Sequence, residues 1–536
     1  MSEILKWFPN TDKIKEPREQ QVEVLQWFET KLSEGCKKFV ICAPTGSGKS
    51  GVAKAIANYS ASKGLPVEIT SPLNSLVEQY REFEKDRKFP LKTLTGKKNY
   101  DCRASQLLKQ EKVSCEFGFC AANICTMDYK NNNSRKLKIY AERSCEKCEH
   151  PEGNKCPCHS CTYRRALKEF KESLIGNSNF TLLQMHVTNN PKVLIIDECD
   201  AMETFIRMFR KVTIDEPWRF EDFSDYVLCL EDKKIAYEVE YNRLDNSFDT
   251  VRRRKVLKEK IEKIDMLLTD IKENNEKYVV SDHYEESTPF EPVSVTRFID
   301  DALNTEERIV ILMSATAQKL PGWEFLEVKS PFQKEIRPFR FVPIGSMALK
   351  GRSQTIPKLA EMLVHDKDNV LLPGKTMVHV PSYAVAEELG REIYRIGKGN
   401  TKCIVQTNKD IVEDLDTTSR SEAIEKFKRS KNPNQMFIAV NMGRGIDLPE
   451  EDIKNNVITY VKRQNPTDHL TRAKWKFFGK EWEYKEAADE IMQQYGRVNR
   501  HDRKTTNTVI TEPEWLPFYR KYKKYFREWF IEAIVG

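Results

Sequence analysis

The sequence predicts an α/β protein with two lobes, each built on a parallel sheet, and two insertions in the first lobe. Short apolar runs of strand length alternate with stretches of helical periodicity, which is typical of parallel sheets covered on both faces. This alternation lapses in a cysteine-rich stretch and in a charged helical stretch, and a second alternating region begins near Phe339. The 536 residues suffice for about three to four domains.

Composition excludes several classes of protein. Apolar residues make up 39% of the chain, and 88 Lys and Arg face 81 Asp and Glu, for a net charge of +7. These values exclude a disordered acidic tail, a collagen-like chain and a small disulfide scaffold. No apolar run approaches the roughly 18 residues of a membrane span, and the N-terminus (MSEILKWFPN) has no signal-peptide pattern. We therefore expect no membrane partner and a reducing location, cytoplasmic or nuclear or in the nucleoid.

The first lobe is predicted from strands and helices that follow one another closely. A helical pattern over Val22–Leu32 ends at Gly35, and a strand over Phe39–Ala43 precedes a Gly-rich loop and a helix. The further predicted elements are a strand at Pro66–Ser71, a helix through Leu76–Phe83, and apolar strands at Val193–Ile196 and Ile309–Met313.

The cysteine-rich stretch, from Lys97 to Glu172, holds nine of the 14 cysteines together with 16 basic and 10 acidic residues. Thiols so densely placed in a reducing compartment indicate a metal-binding module. Its positive charge suits a phosphate backbone, although a solvated basic face would give the same composition. The charged stretch, Met202–Asn304, includes a long helix at Val251–Glu273 whose apolar residues recur at three- and four-residue steps, so we expect a helical hairpin or bundle.

The second lobe is predicted from strands at Thr376–Val380, Met436–Val440 and Val457–Val461. The resulting domain boundaries place the first lobe at 1–96, 173–201 and 305–336, the cysteine-rich insertion at 97–172, the helical insertion at 202–304 and the second lobe at 337–536.

A phosphate-binding loop is predicted between the first strand and the following helix. Its sequence, APTGSGKS, has Ala43 where the strict G-x-x-x-x-G-K-[ST] pattern has Gly. The glycines let backbone N–H groups surround a β-phosphate at a helix N-terminus. Lys49 would reach the β- and γ-phosphates, and the Ser50 hydroxyl would ligate Mg²⁺. The predicted nucleotide-binding residues of this loop are Thr45, Gly46, Ser47, Gly48, Lys49 and Ser50.

Carboxylates and arginines complete the predicted catalytic set. Asp197 and Glu198 end an apolar strand, where Asp197 would hold Mg²⁺ and Glu198 would deprotonate the attacking water. In the second lobe, Gln493–Arg500 is predicted to be helical. Arg497 and Arg500 would then share one face and could stabilise charge on a transferred phosphoryl group.

Together these motifs resemble those of the superfamily 2 helicases. TGSGKS resembles motif I, TSPLNSLVEQ (Thr70–Gln79) motif Ia, and DECD motif II of the DEAH-type group, with Cys199 and Asp200 in place of Ala and His. SAT (Ser314–Thr316) resembles motif III, GRGID (Gly443–Asp447) motif V and QxxGRxxR (Gln493–Arg500) motif VI. The resemblance implies RecA-like lobes, ATP hydrolysis, a catalytic role for Gln493, nucleotide contacts from Gly445 and Asp447, and an adenine-reading glutamine at Gln20.

A finer resemblance is to the iron–sulfur helicases of the XPD/DinG type. GKKNYDC (Gly96–Cys102) is similar to their entry to the cluster, CTYRRA (Cys161–Ala166) to its close, and Ser330–Phe332 to a sequence after motif III. Such helicases place cysteines between motifs Ia and II and a helical arch between motifs II and III. The family implies ATP-driven translocation along single-stranded DNA, usually 5′ to 3′, by a chain that we expect to act as a monomer on single-stranded and forked DNA.

The cysteines exceed the four that a [4Fe–4S] cluster needs. One assignment gives the cluster to Cys102, Cys115, Cys120 and Cys161 and leaves Cys145, Cys148, Cys156 and Cys158 for Zn²⁺. A second gives the iron Cys102, Cys148, Cys156 and Cys161, and a third has zinc throughout.

Residues that contact nucleic acid are predicted from aromatic and basic side chains that occur together. They are Lys97, Lys98 and Arg103, the stretch Trp475–Tyr484, and the tail Phe518–Phe530, which could equally be an amphipathic helix docked on the second lobe. Two other functions remain open: an ATP-driven RNA helicase or nucleoprotein remodeller, and a non-catalytic DNA-binding scaffold on a helicase fold.

Overall fold

Parallel pairing of short apolar strands organises both lobes of the protein, seen here in a computed structural model. The structure describes residues 2–11, 16–71, 74–101, 114, 162–179, 191–245, 250–280, 286–331, 333–366, 368–398, 403–406, 416–418, 420–440, 453–498 and 505–535. Within these residues, no helix is both long and apolar enough to cross a bilayer.

The first lobe contains a sheet of seven described strands, all parallel, in the order β10-β1-β9-β5-β2-β4-β3. The strands are β1 (Lys38–Cys42), β2 (Val67–Ser71), β3 (Lys92–Leu94), β4 (Ile175–Asn179), β5 (Val193–Asp197), β9 (Ile309–Ser314) and β10 (Glu324–Glu327). Strand β9 lies between β1 and β5, so the residues that follow these three strands meet at one edge of the sheet. The apolar sequences of β1, β5 and β9 fit this burial on both faces.

Helices cover both faces of this sheet. They are α1 (Glu19–Ser33), α2 (Lys49–Ser62), α3 (Asn74–Gln79), α4 (Thr162–Glu172), α5 (Met202–Arg210) and, later in the chain, α8 (Thr296–Leu303). On one face α1 and α2 pack against Phe39, Ile41 and Ile195. On the other, Ile206 of α5 and Phe298 of α8 pack against Val40 and neighbouring strand residues. The predicted alternation of strands and helices is confirmed, and the helix after β2 changes to a 3₁₀ helix at Tyr80–Lys85.

The helical insertion contains an antiparallel pair of helices, α6 (Phe223–Arg243) and α7 (Val251–Lys272), as its apolar spacing predicts. Its base is an antiparallel sheet, ordered β6-β8-β7, that the sequence analysis missed because its strands are short: β6 (Val212–Ile214), β7 (Tyr278–Val280) and β8 (Thr288–Pro292). Leu230, Leu267 and Phe290 lie in their common core. Because α5 and α8 pack on the first lobe, the part of the predicted 202–304 insertion with its own core runs from β6 to β8.

The second lobe contains a parallel sheet of eight described strands in the order β14-β13-β15-β12-β16-β17-β11-β18. These are β11 (Phe339–Phe341), β12 (Lys375–Val380), β13 (Cys403–Gln406), β14 (Asp416–Thr418), β15 (Met436–Val440), β16 (Ile453–Ile458), β17 (Asn507–Ile510) and β18 (Ile534–Val535). Its helices are α9 (Arg352–His365), α10 (Tyr383–Ile396), α11 (Arg420–Arg429), α12 (His469–Phe478), α13 (Glu481–Tyr495), α14 (Trp515–Tyr522) and α15 (Glu528–Ile531).

Strand β16 begins earlier than the predicted strand at Val457–Val461. Its first half carries Asn455 and Asn456, which broke the apolar run in the sequence. Both are fully buried, and their amides donate to the carbonyls of Leu372 and Gln494. Buried polar side chains with such partners are compatible with a central strand, but their partners cannot be read from the sequence.

Candidate active site between the two lobes

The phosphate-binding loop lies between β1 and α2, as predicted. Gly46 and Gly48 have φ values of +81° and +85°, which disfavour other residues, and a Cβ at Gly48 would overlap the Gln21 side chain. Lys49 is the first residue of α2, and its ammonium donates to the Ala43 carbonyl at 3.2 Å. The backbone N–H groups at the start of this 14-residue helix make the loop suitable for an anion.

A glutamine and an arginine at the start of α1 hold this loop. Gln21 donates from Nε2 to the Gly48 carbonyl at 2.9 Å, and its Oε1 accepts from the backbone N–H of Arg18 at 2.8 Å. The Arg18 guanidinium donates to the Gly46 carbonyl at 3.0 Å. Gln20, predicted to read adenine, lines a small cleft beside the loop together with Gln21 and Lys49. The contact of Gln21 with Gly48 has no local sequence signal, because the two residues lie on different elements 27 residues apart.

The acidic pair lies at the carboxyl end of β5. Asp197 is only 3% exposed, and Glu198 adopts a left-handed conformation with φ of 55°. Asp197 accepts two hydrogen bonds of 3.0 Å, from the Glu198 backbone N–H and from the Tyr80 hydroxyl. Burial raises the pKa of both carboxyls, and the nearby Lys49 ammonium acts in the opposite direction.

Tyr80 hydrogen bonds to both residues that were predicted from the sequence to be Mg²⁺ ligands. Its ring is buried beside Phe83, and its hydroxyl hydrogen bonds to Asp197 and also to the Ser50 side chain. Burial and the Asp197 charge raise the pKa of Tyr80 well above its usual value, so the phenol stays protonated and donates. Tyr80 has no local sequence signal as a site residue, because its partners lie on other elements of the lobe.

Asp200, the last residue of DECD, joins three segments of the chain. Its carboxylate accepts from the Ser314 hydroxyl at 2.6 Å and from the Thr316 hydroxyl at 3.0 Å. It also accepts from Gln493 Nε2 of the second lobe at 3.1 Å, and Gln493 reaches Thr316 Oγ1 at 3.3 Å. Gln493, expected to be catalytic, therefore lies at the junction of DECD and SAT. Asp200 was missed as a site residue.

The turn after α13 brings the second lobe to the phosphate-binding loop. Helix α13 ends at Tyr495, so the prediction of a helix over Gln493–Arg500 was wrong for Gly496, Arg497 and Val498, and Arg497 lies in the following turn. A Cβ at Gly496 would overlap Oγ1 of Thr45, which shows how closely the lobes approach. Arg497 is mostly buried, and its charge opposes the rise that burial causes in the pKa of Glu198. Arg500, Gly445 and Asp447 lie outside the described residues.

A second junction between the lobes comes from the C-terminal segment. The Arg527 guanidinium donates to the Thr316 carbonyl at 3.2 Å, and the Trp529 indole donates to the Ala315 carbonyl at 3.2 Å. Both acceptors belong to SAT in the first lobe. The tail aromatics form part of the second lobe's core, so the alternative interpretation of the tail, a docked segment, is the one that the structure supports.

The cysteines predicted to bind iron or zinc, Cys102, Cys115, Cys120, Cys145, Cys148, Cys156, Cys158 and Cys161, lie outside the described residues. Among the residues that are described, no group of three or more His, Cys, Asp and Glu side chains could hold a metal ion. The segments on either side of the nine cysteines do meet. Tyr100, before Cys102, and Tyr163, after Cys161, pack edge to face with ring centroids 5.4 Å apart.

Two protein-family models match this chain, one in each lobe. A family model described as "Type III restriction enzyme, res subunit" matches residues 14–212, and one described as "Helicase C-terminal domain" matches residues 370–533. The search of curated proteins found no match to this sequence.

Solved structures match over nearly the full length. A structure of Xpd4 from S. tokodaii is 15% identical with a TM-score of 0.55, and the match covers 97% of this chain and 100% of that chain. A structure described as an XPD helicase is 13% identical with a TM-score of 0.61, covering 95% and 98%. A third, described as XPD in the apo form, is 14% identical with a TM-score of 0.52, covering 92% and 96%. At these identities the likeness concerns the fold.

Proposed function

We propose that the chain is a superfamily 2 helicase that uses ATP hydrolysis to move along single-stranded DNA, from 5′ to 3′, and to separate duplexes; the family models that match residues 14–212 and 370–533 and the XPD-like fold support this. The observation that supports this most is the convergence of both lobes on one cleft. The phosphate-binding loop meets the turn that carries Arg497, and DECD meets Gln493.

The phosphate-binding loop and its neighbours would bind the nucleotide as its magnesium complex. Backbone N–H groups of the loop and the Lys49 ammonium would hold the phosphates. The Ser50 hydroxyl and the Asp197 carboxylate fit Mg²⁺, because hard cations take oxygen ligands and the Tyr80 hydroxyl links these two side chains. Mg²⁺, when bound, supplies charge neutralisation at the phosphates.

Glu198 and Arg497 would serve the chemical step. Burial raises the pKa of Glu198, which makes its carboxylate a better proton acceptor for water, while Lys49 and Arg497 oppose that shift. Arg497 comes from the second lobe and would stabilise charge on the γ-phosphoryl group only when the lobes are together. Arg500 would assist it, and Gly445 and Asp447 would contact the nucleotide.

Two sets of inter-lobe hydrogen bonds would couple hydrolysis to lobe movement. Gln493 reaches Asp200 and Thr316, while Arg527 and Trp529 reach the backbone of SAT. Separation of the lobes would break all of these bonds at residues adjoining the catalytic carboxylates. The state of the nucleotide is thereby linked to the distance between the lobes.

ATP hydrolysis with and without single-stranded DNA tests the site. Lys49→Ala should lower kcat/KM by about 100-fold or more, the effect typical of losing one preorganised electrostatic group. Glu198→Gln should abolish turnover but retain binding of a fluorescent ATP analogue. Lys63→Ala, at an exposed ion pair with Glu3 beyond α2, is the matched control and should behave as wild type. DNA-stimulated activity that survives Lys49→Ala would refute the assignment.

A strand-displacement assay tests whether DNA or RNA is the substrate and in which direction the protein moves. Duplexes with a 5′ or a 3′ single-stranded tail, in DNA and in RNA, should be separated only when the tail is 5′ DNA. Preference for RNA tails would support the RNA helicase instead. DNA binding without nucleotide hydrolysis would support the non-catalytic scaffold.

The cysteine-rich stretch is proposed to hold a [4Fe–4S] cluster through Cys102, Cys115, Cys120 and Cys161. The contact of Tyr100 with Tyr163 supports the outer pair, because these rings lie within two residues of Cys102 and Cys161. Cys145, Cys148, Cys156 and Cys158 would bind Zn²⁺, or Cys148 and Cys156 would replace the inner cluster ligands.

Metal analysis of anaerobically purified protein tests this proposal. About four iron and four sulfide per chain are expected for one cubane cluster, and Cys102→Ser should lose them. Cys229→Ser, at a free and half-buried cysteine on α6, should retain them. Zinc without iron would overturn the cluster.

A further inference from the structure

Two stretches of the sequence combine aromatic and basic residues, and the structure gives them opposite environments. In the tail, Phe518, Phe526, Trp529 and Phe530 pack together in the core of the second lobe. In the stretch Trp475–Tyr484, the side chains of Phe477 and Phe478 are 51% and 39% exposed to solvent. The rings of Phe477 and Phe478 are therefore accessible to a ligand, whereas the four tail rings in the core are not.

The two exposed rings form a fixed pair at the end of α12. Their centroids are 4.7 Å apart and their planes are inclined at 71°. The helix ends at Gly479, whose φ of +78° turns the chain away and leaves both rings uncovered. Adjacent exposed aromatics on a folded surface are unusual enough to indicate a binding site.

The charges around this pair are positive. Lys277 of the insertion places its ammonium 6.0 Å from the centre of the Phe477 ring, and Lys480 lies 5.3 Å from the centre of the Trp475 ring. Lys476 is exposed in the last turn of α12. Within the described part of the chain, none of these three lysines has a carboxylate at ion-pair distance.

Helix α12 is anchored to the first lobe and its insertion. The buried Lys474 ammonium contacts the Glu203 carboxylate of α5 at 3.1 Å, and Glu203 lies three residues after the end of DECD. His469 contacts the Val280 carbonyl of β7 at 3.1 Å. The surface formed by Phe477, Phe478, Lys476, Lys480 and Lys277, called here the Phe477–Phe478 platform, thus lies at a junction of three parts of the molecule.

We propose that the Phe477–Phe478 platform binds single-stranded nucleic acid, with the rings stacked on bases and the three lysines at phosphates. This deepens the proposed function and rests on it. Unpaired bases offer faces to aromatic rings, whereas duplexes hide them, and basic groups beside the rings match the backbone charge. A protein ligand would leave the lysines without matched charge unless its surface were acidic.

Binding of fluorescent oligonucleotides measures the role of the rings. The double variant Phe477→Ala, Phe478→Ala should weaken binding of oligothymidylate by about 5- to 150-fold, the range for loss of stacking on one base. An abasic oligomer of the same length retains the phosphates, so the wild type should prefer oligothymidylate and the double variant should lose that preference. Aromatic replacements, Phe477→Trp and Phe478→Trp, should restore it.

The lysines have a different expected effect. Lys476→Ala should retain the preference for bases but reduce the dependence of log Kd on log salt by about 0.7. Leu349→Ala, at an apolar residue 81% exposed elsewhere on the second lobe, is the control and should match wild type.

The outcomes separate the platform from the proposed function. The platform proposal alone would be refuted if the wild type binds DNA and hydrolyses ATP but the double variant keeps the full preference for oligothymidylate over the abasic oligomer. Wild type that neither binds single strands nor hydrolyses ATP would overturn both. Loss of the preference in the double variant, restored by the aromatic replacements, would support the platform.

Discussion

Replacing Tyr80 with Phe should weaken magnesium-dependent nucleotide binding. The change removes one hydroxyl from a buried position and keeps the ring, which packs beside Phe83. Asp197 would lose its 3.0 Å hydrogen bond from this hydroxyl but keep the one from the Glu198 backbone N–H. Ser50 would lose its link to the same hydroxyl, so both proposed magnesium ligands would be less well oriented.

The expected size follows from the charge on Asp197. A hydrogen bond to a charged group contributes about 1.5–3 kcal/mol. The lower end applies because the Glu198 N–H and Lys49 still stabilise the carboxylate. About 1.5 kcal/mol corresponds to roughly a tenfold rise in the Mg²⁺ concentration for half-maximal binding. Loss of a donor raises the pKa of Asp197 further, so the deficit should grow as the pH falls.

Titration of Mg²⁺ against binding of a fluorescent ADP analogue measures this effect without hydrolysis. Tyr59→Phe, at a half-buried tyrosine on α2, is the matched control and should leave the midpoint unchanged. Binding in the presence of EDTA should be similar in both variants and wild type, since the phosphate-binding loop is intact. An unchanged Mg²⁺ midpoint in Tyr80→Phe at two pH values would refute the reasoning.

Four further predictions concern stability and coupling. Asp86→Asn should lower the free energy of unfolding by about 3–5 kcal/mol in denaturant titrations, because it leaves the fully buried Lys54, 2.7 Å away, without its charge partner. Burial lowers the pKa of Lys54 to about 8 from 10.5, so the unfolded chain binds more protons in that range. Stability should therefore rise with pH there, relative to Lys54→Met. Gln493→Ala should lower DNA-stimulated kcat about 5- to 150-fold, the range of typical coupling energies, with ADP affinity unchanged in fluorescence titrations. Trp529→Phe leaves a buried carbonyl without its donor and should cost about 1–3 kcal/mol in unfolding experiments, whereas an unchanged unfolding midpoint would contradict the contact.

Local sequence predicted the framework of the site. The two α/β lobes, the phosphate-binding loop between β1 and α2, and Asp197 and Glu198 at the end of β5 all follow from patterns within a few residues. Strand propensity, apolar periodicity and the need for glycine at positive φ are local effects, and they act on short segments. The likeness of the fold to XPD structures agrees with this framework.

Predictions from local patterns were wrong about the end of a helix and about the burial of the tail aromatics. Arg497 was predicted to share a helical face with Arg500, but α13 ends at Tyr495 and Arg497 lies in the turn that follows. The tail aromatics have the composition of a nucleic-acid surface, yet Phe526 and Phe530 are buried. Composition alone does not separate a core face from an exposed one, because both require the same residue types.

What the sequence determined by itself is which residue types stand at the ends of the parallel strands, since pairing in register brings those ends to one edge. The tertiary structure alone decided which distant side chains meet there. Tyr80 reaches Asp197 across 117 residues of sequence, Gln493 reaches Asp200 across 293, and Trp529 reaches Ala315 across 214. No periodicity encodes such contacts. Each depends on how distant elements pack together and on which buried donor comes within hydrogen-bond distance of a buried acceptor.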